Sequence, residues 1–106
     1  MSTGSRKKSD SSKLLESISG GPVTLGRLLE AIRQGEELTQ PEFAKLLGIS
    51  KSHLNDIEKG RKTVSPERAA RFAKALGYSE KRFVKLSLQS QLDQYGLRFR
   101  VELEAA

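Results

Sequence analysis

The chain has 106 residues, 36% of them hydrophobic, with no cysteine and one histidine; that allows one compact domain with a modest core, marginally stable alone. The missing thiols exclude a disulfide framework, a thiolate zinc site and a cysteine nucleophile. A formal charge of +6 points to a polyanion or an acidic surface as partner, and with no stretch near the ~18 to 20 apolar residues of a membrane span and no apolar signal segment, a soluble, unexported protein is expected.

The first residues, MSTGSRKKSDSSK, are polar and basic with almost nothing to bury, which predicts a flexible tail over residues 1–22. Arg6, Lys7 and Lys8 could add diffuse phosphate attraction or be solvated filler. The apolar patch Leu14, Leu15 and Ile18 predicts at most a brief helix, stopped at Gly20, Gly21 and Pro22.

From Val23 one pattern recurs: an apolar residue, a hydroxyl residue, then an apolar residue four positions after the hydroxyl. This is the hydrophobic staple of a helix start. It occurs at Val23, Thr24 and Leu28; at Leu38, Thr39 and Phe43; at Ile49, Ser50 and Leu54; and at Tyr78, Ser79 and Phe83. Glu42 adds a capping box to Thr39, and Ser65 followed by Pro66 marks a fifth start. Helices are therefore predicted over about 24–35, 40–47, 51–58, 66–76 and 80–95. Gly35, Gly48, Gly60, Gly77 and Gly96 stand where each run stops, suited to the left-handed position beyond a helix end.

The last helix carries Phe83, Val84, Leu86, Leu88, Leu92 and Tyr95, a stripe too broad for a four-helix core alone, so part of it is expected to face another subunit. After Gly96 the period falls to two: Leu97, Phe99, Val101 and Leu103 alternate with Arg98, Arg100, Glu102 and Glu104, which predicts a half-buried strand. An apolar edge strand needs a partner. A second copy, antiparallel with Val101 opposite Val101, would set Arg98 against Glu104, Arg100 against Glu102 and Phe99 against Leu103. The alternatives are packing on the chain's own helices or completing a partner's sheet.

Within the second and third helices lies TQPEFAKLLGISKSHLNDIEKG. Phe43 and Leu47 point inward, Ala44 is small where the two helices cross, Gly48 permits the turn, and Ile49, Leu54 and Ile57 complete a shared core. One face of the third helix, with Lys51, Ser52, Asn55 and Asp56, is left to enter a major groove.

This segment resembles the helix-turn-helix of the XRE family, which includes the phage lambda-type repressors and many bacterial antitoxins, among them the Hip and Hig types. The match covers roughly residues 25–78 and is specific: Gln40, Ala44, Gly48, the paired apolar positions and the closing Glu58-Lys59-Gly60-Arg61 stand together at the family spacing. The resemblance implies an all-α, five-helix lambda-repressor-like DNA-binding domain. It further implies that Gln40 contacts a backbone phosphate and braces Lys51, that Lys59, Arg61 and Lys62 contact phosphates, and that Arg33 and Glu58 form a partly buried structural ion pair. Lys51 stands where many members have glutamine, which suggests a guanine O6/N7 contact or a phosphate in place of adenine; Ser52, Asn55 and Asp56 are the other candidates for base edges. Hip-type antitoxins carry a C-terminal strand that closes a two-stranded lid over the dimer, a second line toward a paired strand here.

The expected organisation is a tail at 1–22, the helix-turn-helix domain at 23–78, and a helix and strand for dimerisation at 79–106. Double-stranded DNA and a second copy are the expected partners, with a toxin protein as the alternative, in a cytoplasmic, nucleoid-associated setting and without a membrane. His53 lacks companions for metal binding or catalysis, so it reads as a surface or phosphate-side residue. No acid, base or nucleophile constellation is legible, so no enzyme activity, cofactor or metal is expected.

Overall fold

The computed structural model describes residues 24–106. The expected tail, the Leu14 to Ile18 patch with its glycine break, and the staple contact of Val23 lie outside the described residues.

Among those residues the chain is all-α, with five helices: α1 Leu25–Gly35, α2 Gln40–Leu47, α3 Lys51–Glu58, α4 Pro66–Leu76 and α5 Glu80–Gln94. Each starts at the hydroxyl residue read from the sequence. Thr24, Thr39, Ser50, Ser65 and Ser79 accept from the backbone N–H three residues on, which satisfies one orphan donor per helix. The Thr39–Glu42 capping box closes in both directions, at 3.2 and 2.9 Å, and these bonds from Thr39 hold the Glu42 carboxyl below its usual range. At the fifth start the rings of Tyr78 and Phe83 meet with centroids 5.8 Å apart.

The ends hold one correction. Gly48 and Gly77 cap α2 and α4 in the left-handed conformation, but Gly35 is still helical, and the left-handed residue after α1 is Glu37, at φ 59°. Leu38 N–H returns to Arg33 C=O and Glu37 N–H to Gln34 C=O, the paired closure of a Schellman turn. Arg33 adds a side-chain bond to Leu38 C=O at 3.1 Å, so this turn closes without a glycine in the left-handed position.

The core gathers Leu25, Leu28, Leu29 and Ile32 of α1, Phe43, Ala44 and Leu47 of α2, Leu54 and Ile57 of α3, Val64 of the loop that follows, Ala69, Phe72 and Ala73 of α4, and Phe83 of α5. Gly26 lets α1 cross α3 at backbone contact: a Cβ there would sit 2.1 Å from Ile57 O. The Ser87 hydroxyl, fully buried, donates to Val64 C=O and ties α5 to the loop before α4. On α5 only Phe83 and Ser87 are buried outright; Val84, Leu86, Leu88 and Leu92 are half-buried and Tyr95 is exposed.

The expected strand does not form: residues 97–106 carry no regular secondary structure, and no strand occurs among the described residues. A ladder needs a second backbone, and here a side chain takes that place. Gln89 Nε2 donates to Phe99 C=O at 2.8 Å and Gln89 Oε1 accepts from Val101 N–H at 2.9 Å. Leu97 and Phe99 stay exposed, while Val101 and Leu103 are half-buried.

Candidate nucleic-acid interface

The α2–α3 unit presents α3 at the surface because its inward face, Leu54 and Ile57, is consumed by the core. Ser50 caps its start, so backbone donors and the positive end of the helix dipole face the side from which Lys51 and Ser52 project. Both are exposed. Lys51 and Lys59 form no ion pair with the described residues, whereas Arg61 and Lys62 reach back to the Asp56 carboxylate at 3.0 and 3.9 Å. Asp56 C=O also accepts from the N–H groups of both. Asp56, a candidate for base edges in the sequence, is here engaged by the two cations that follow α3.

Behind this surface runs a hydrogen-bonded chain. Arg33 holds Glu58 through two bonds, Nε to Oε2 at 2.8 Å and Nη2 to Oε1 at 3.1 Å, with the Glu58 side chain only 1% exposed. That bond to Glu58, working against burial, raises the Arg33 pKa further. Gln40 Nε2 donates to Glu58 Oε1 at 2.9 Å and to Asn55 Oδ1 at 3.1 Å. The Gln40 amide thus braces Asn55 and not Lys51, since Asn55 and Glu58 lie one turn apart on the face of α3 turned toward the start of α2.

His53 is half-buried, with Nδ1 3.4 Å from Arg68 Nη1 at the start of α4. Burial, then the charges of Arg68 and Lys62, push its imidazole below the usual range, with Asp56 pulling the other way. The expectation of a surface or phosphate-side histidine is thereby changed to one packed against α4. No group of metal-ligating side chains occurs among the described residues, and none of their helices is long and apolar enough to cross a membrane.

Sequence reasoning did not reach the Gln40–Asn55 bond, the Gly26 crossing, the Ser87 tie or the Gln89 clasp. Each joins residues distant along the chain through one side chain, which leaves no periodic signal; a glycine in the first turn of an amphipathic helix was the one available hint.

A helix-turn-helix domain family matches residues 24–83. Two curated relatives are similar over part of the chain. The "ImmF control region 10 kDa protein" of Bacillus phage phi105 is 43% identical over 49 residues, 46% of this chain and 54% of that protein. The "Antitoxin PezA" of Streptococcus pneumoniae serotype 4 is 40% identical over 43 residues, 41% of this chain and 27% of that protein. The match thus spans about half of one relative's length and about a quarter of the other's. No solved structure matches the chain at a significant level.

Proposed function

The chain belongs to the helix-turn-helix domain family, in its XRE type, and from that premise we propose that it is a sequence-specific DNA-binding transcriptional regulator, a repressor that reads an inverted repeat as a homodimer. One observation carries the reading: the capped, solvent-facing α3 presents Lys51, unpaired among the described residues, beside Ser52 and Asn55, with Lys59, Arg61 and Lys62 following where the DNA backbone would run. Lys51, Ser52 and Asn55 are assigned to base edges; Lys59, Arg61 and Lys62, and Gln40 through its backbone N–H at the start of α2 because its side-chain hydrogens are held by Glu58 and Asn55, are assigned to phosphates, which position more than they specify. Asp56 joins the base-contacting set only by releasing Arg61 and Lys62 to the backbone.

Two copies would set their α3 helices about one DNA turn apart, ~34 Å. The Gln89 clasp supports the pairing mode for Leu97, Phe99, Val101 and Leu103. It occupies Phe99 C=O and Val101 N–H, the groups that odd-numbered residues of an extended segment direct to one edge. The even-numbered groups point to the opposite edge. Pairing through Arg100 and Glu102, with Val101 opposite Val101 in the non-hydrogen-bonded position, uses that edge and keeps the opposite-charge pairs.

Selection of bound sequences from a random DNA pool, with the solution mass measured alongside, tests the proposal. An inverted-repeat consensus bound by a dimer is expected; absence of any enriched sequence would reject it. The second reading, an antitoxin that masks a toxin and regulates its own operon, is favoured by the relative named Antitoxin PezA and by exposed Tyr95, Leu97 and Phe99 beyond the matched domain. Co-expression with the product of a neighbouring gene, and rescue of growth by this chain, distinguishes it.

A further inference from the structure

The hydrogen bonds behind α3 have a fixed polarity, and it propagates to the surface. Arg33 can only donate, so the Glu58 carboxylate it grips accepts; whichever end of the Gln40 amide faces Glu58 must donate, and is therefore nitrogen. The second hydrogen on that nitrogen needs an acceptor, so the atom of Asn55 that meets it is oxygen. The orientation of both amides follows from this sequence of donors and acceptors. Asn55 Oδ1 is thereby turned inward. Its Nδ2 has no partner among the described residues, and no buried side-chain polar atom there is left unbonded, so the NH2 group of this half-buried residue reaches solvent.

We infer that Asn55 is a donor-only base reader whose polarity is set by Gln40. Adenine recognition by asparagine uses its oxygen and its nitrogen together, on N6–H and N7; here the oxygen is committed inside the protein. The outward NH2 matches bases whose major-groove edge offers a carbonyl, guanine through O6 and N7 or thymine through O4. Cytosine offers it only the N4 donor, and adenine offers a single acceptor, N7, beside an N6 donor that the inward oxygen can no longer take, so adenine loses its paired contact. Asn55 therefore selects keto over amino bases at one position of each half-site. Gln40 is the positioning residue, with Glu58 and Arg33 anchoring it. This inference rests on the DNA-binding reading and gives it a chemical specificity.

The test is pool selection with the full-length wild type, Asn55→Ala, Asn55→Asp and Gln40→Leu. The wild type is expected to favour guanine or thymine over adenine or cytosine by roughly tenfold at one position per half-site, and Asn55→Ala to flatten that position alone. Asn55→Asp keeps an inward oxygen for Gln40 and turns an acceptor outward, so preference at the same position inverts toward amino bases; this variant leaves the Arg33–Glu58–Gln40 bonds in place and serves if Gln40→Leu fails to fold. Gln40→Leu frees the Asn55 amide to turn over and lets adenine in. Enrichment of adenine at the Asn55-sensitive position in the wild type, or unchanged preference in both Asn55→Asp and Gln40→Leu, would overturn the inference. If the wild type enriches no sequence, the DNA-binding reading itself falls.

Discussion

Replacing Glu58 by alanine should be the most damaging change in the α2–α3 unit that leaves the apolar core intact. The substitution strips two bonds from Arg33, whose side chain is 15% exposed, and removes one acceptor from Gln40. Breaking one side of a buried ion pair costs about 3–5 kcal/mol, because the remaining charge stays desolvated. Arg33 keeps its bond to Leu38 C=O and a little solvent contact, which places the loss near the lower bound, ~3 kcal/mol. For a domain of this size each kcal/mol shifts the melting midpoint by about 4–8 °C, so a fall of roughly 12–24 °C is expected by circular dichroism. The double variant Arg33→Met with Glu58→Leu should recover most of it, since apolar replacement of a buried pair is often neutral. A Glu58→Ala midpoint within about 3 °C of wild type would refute the view that this pair holds α1 to α3.

Lys51→Ala should change base preference at one position by about 1–3 kcal/mol, whereas Arg61→Ala should weaken all sequences alike and flatten the salt dependence by about one unit; the same binding titrations at several salt concentrations check both. Removing residues 97–106 should convert a dimer to a monomer by solution mass, and a truncated chain that stays dimeric counts against strand pairing. The His53 ring should titrate below the ordinary histidine range by NMR. Its depressed pKa gives a contribution to stability present above the ordinary value and lost as pH falls through the folded one, so His53→Gln should flatten stability across roughly pH 7 to 5. Gly26→Ala should destabilise by at least ~2 kcal/mol in urea unfolding, as backbone must move away from a Cβ 2.1 Å from Ile57 O; a neutral result would mean the crossing is loose.

The helix frame was legible because its signals are local. A hydroxyl cap, its staple and the next apolar position sit within five residues, and each of Thr24, Thr39, Ser50, Ser65 and Ser79 is seen capping. Gly35 misled because the αL residue was displaced two positions to Glu37, under a closure completed by Arg33 from inside the helix. The period-two run after Gly96 says only that one face is apolar. Whether it becomes a strand depends on a second backbone, and a glutamine on α5 holds one edge in the single chain. The grip on Asp56 by Arg61 and Lys62 was hidden for a related reason: the carboxylate and both cations look equally exposed in sequence, and only the turn after α3 folds them together.

The two candidate reading groups on α3 differ in how much freedom they retain. Lys51 carries a long, exposed side chain without an ion-pair partner among the described residues, and immobilising it on DNA forfeits up to about 2 kcal/mol of rotamer entropy. Asn55 is already held through Gln40 by a buried pair whose one-sided loss destabilises the domain. A pre-set donor discriminates between bases because it cannot turn over to suit the wrong one, whereas a mobile ammonium can move from a base oxygen to a phosphate. On the DNA-binding reading, Lys51 therefore adds to affinity and salt dependence as well as to base preference, whereas Asn55 contributes chiefly to selectivity. The network that stabilises α1 against α3 is then the same one that limits which bases the protein accepts.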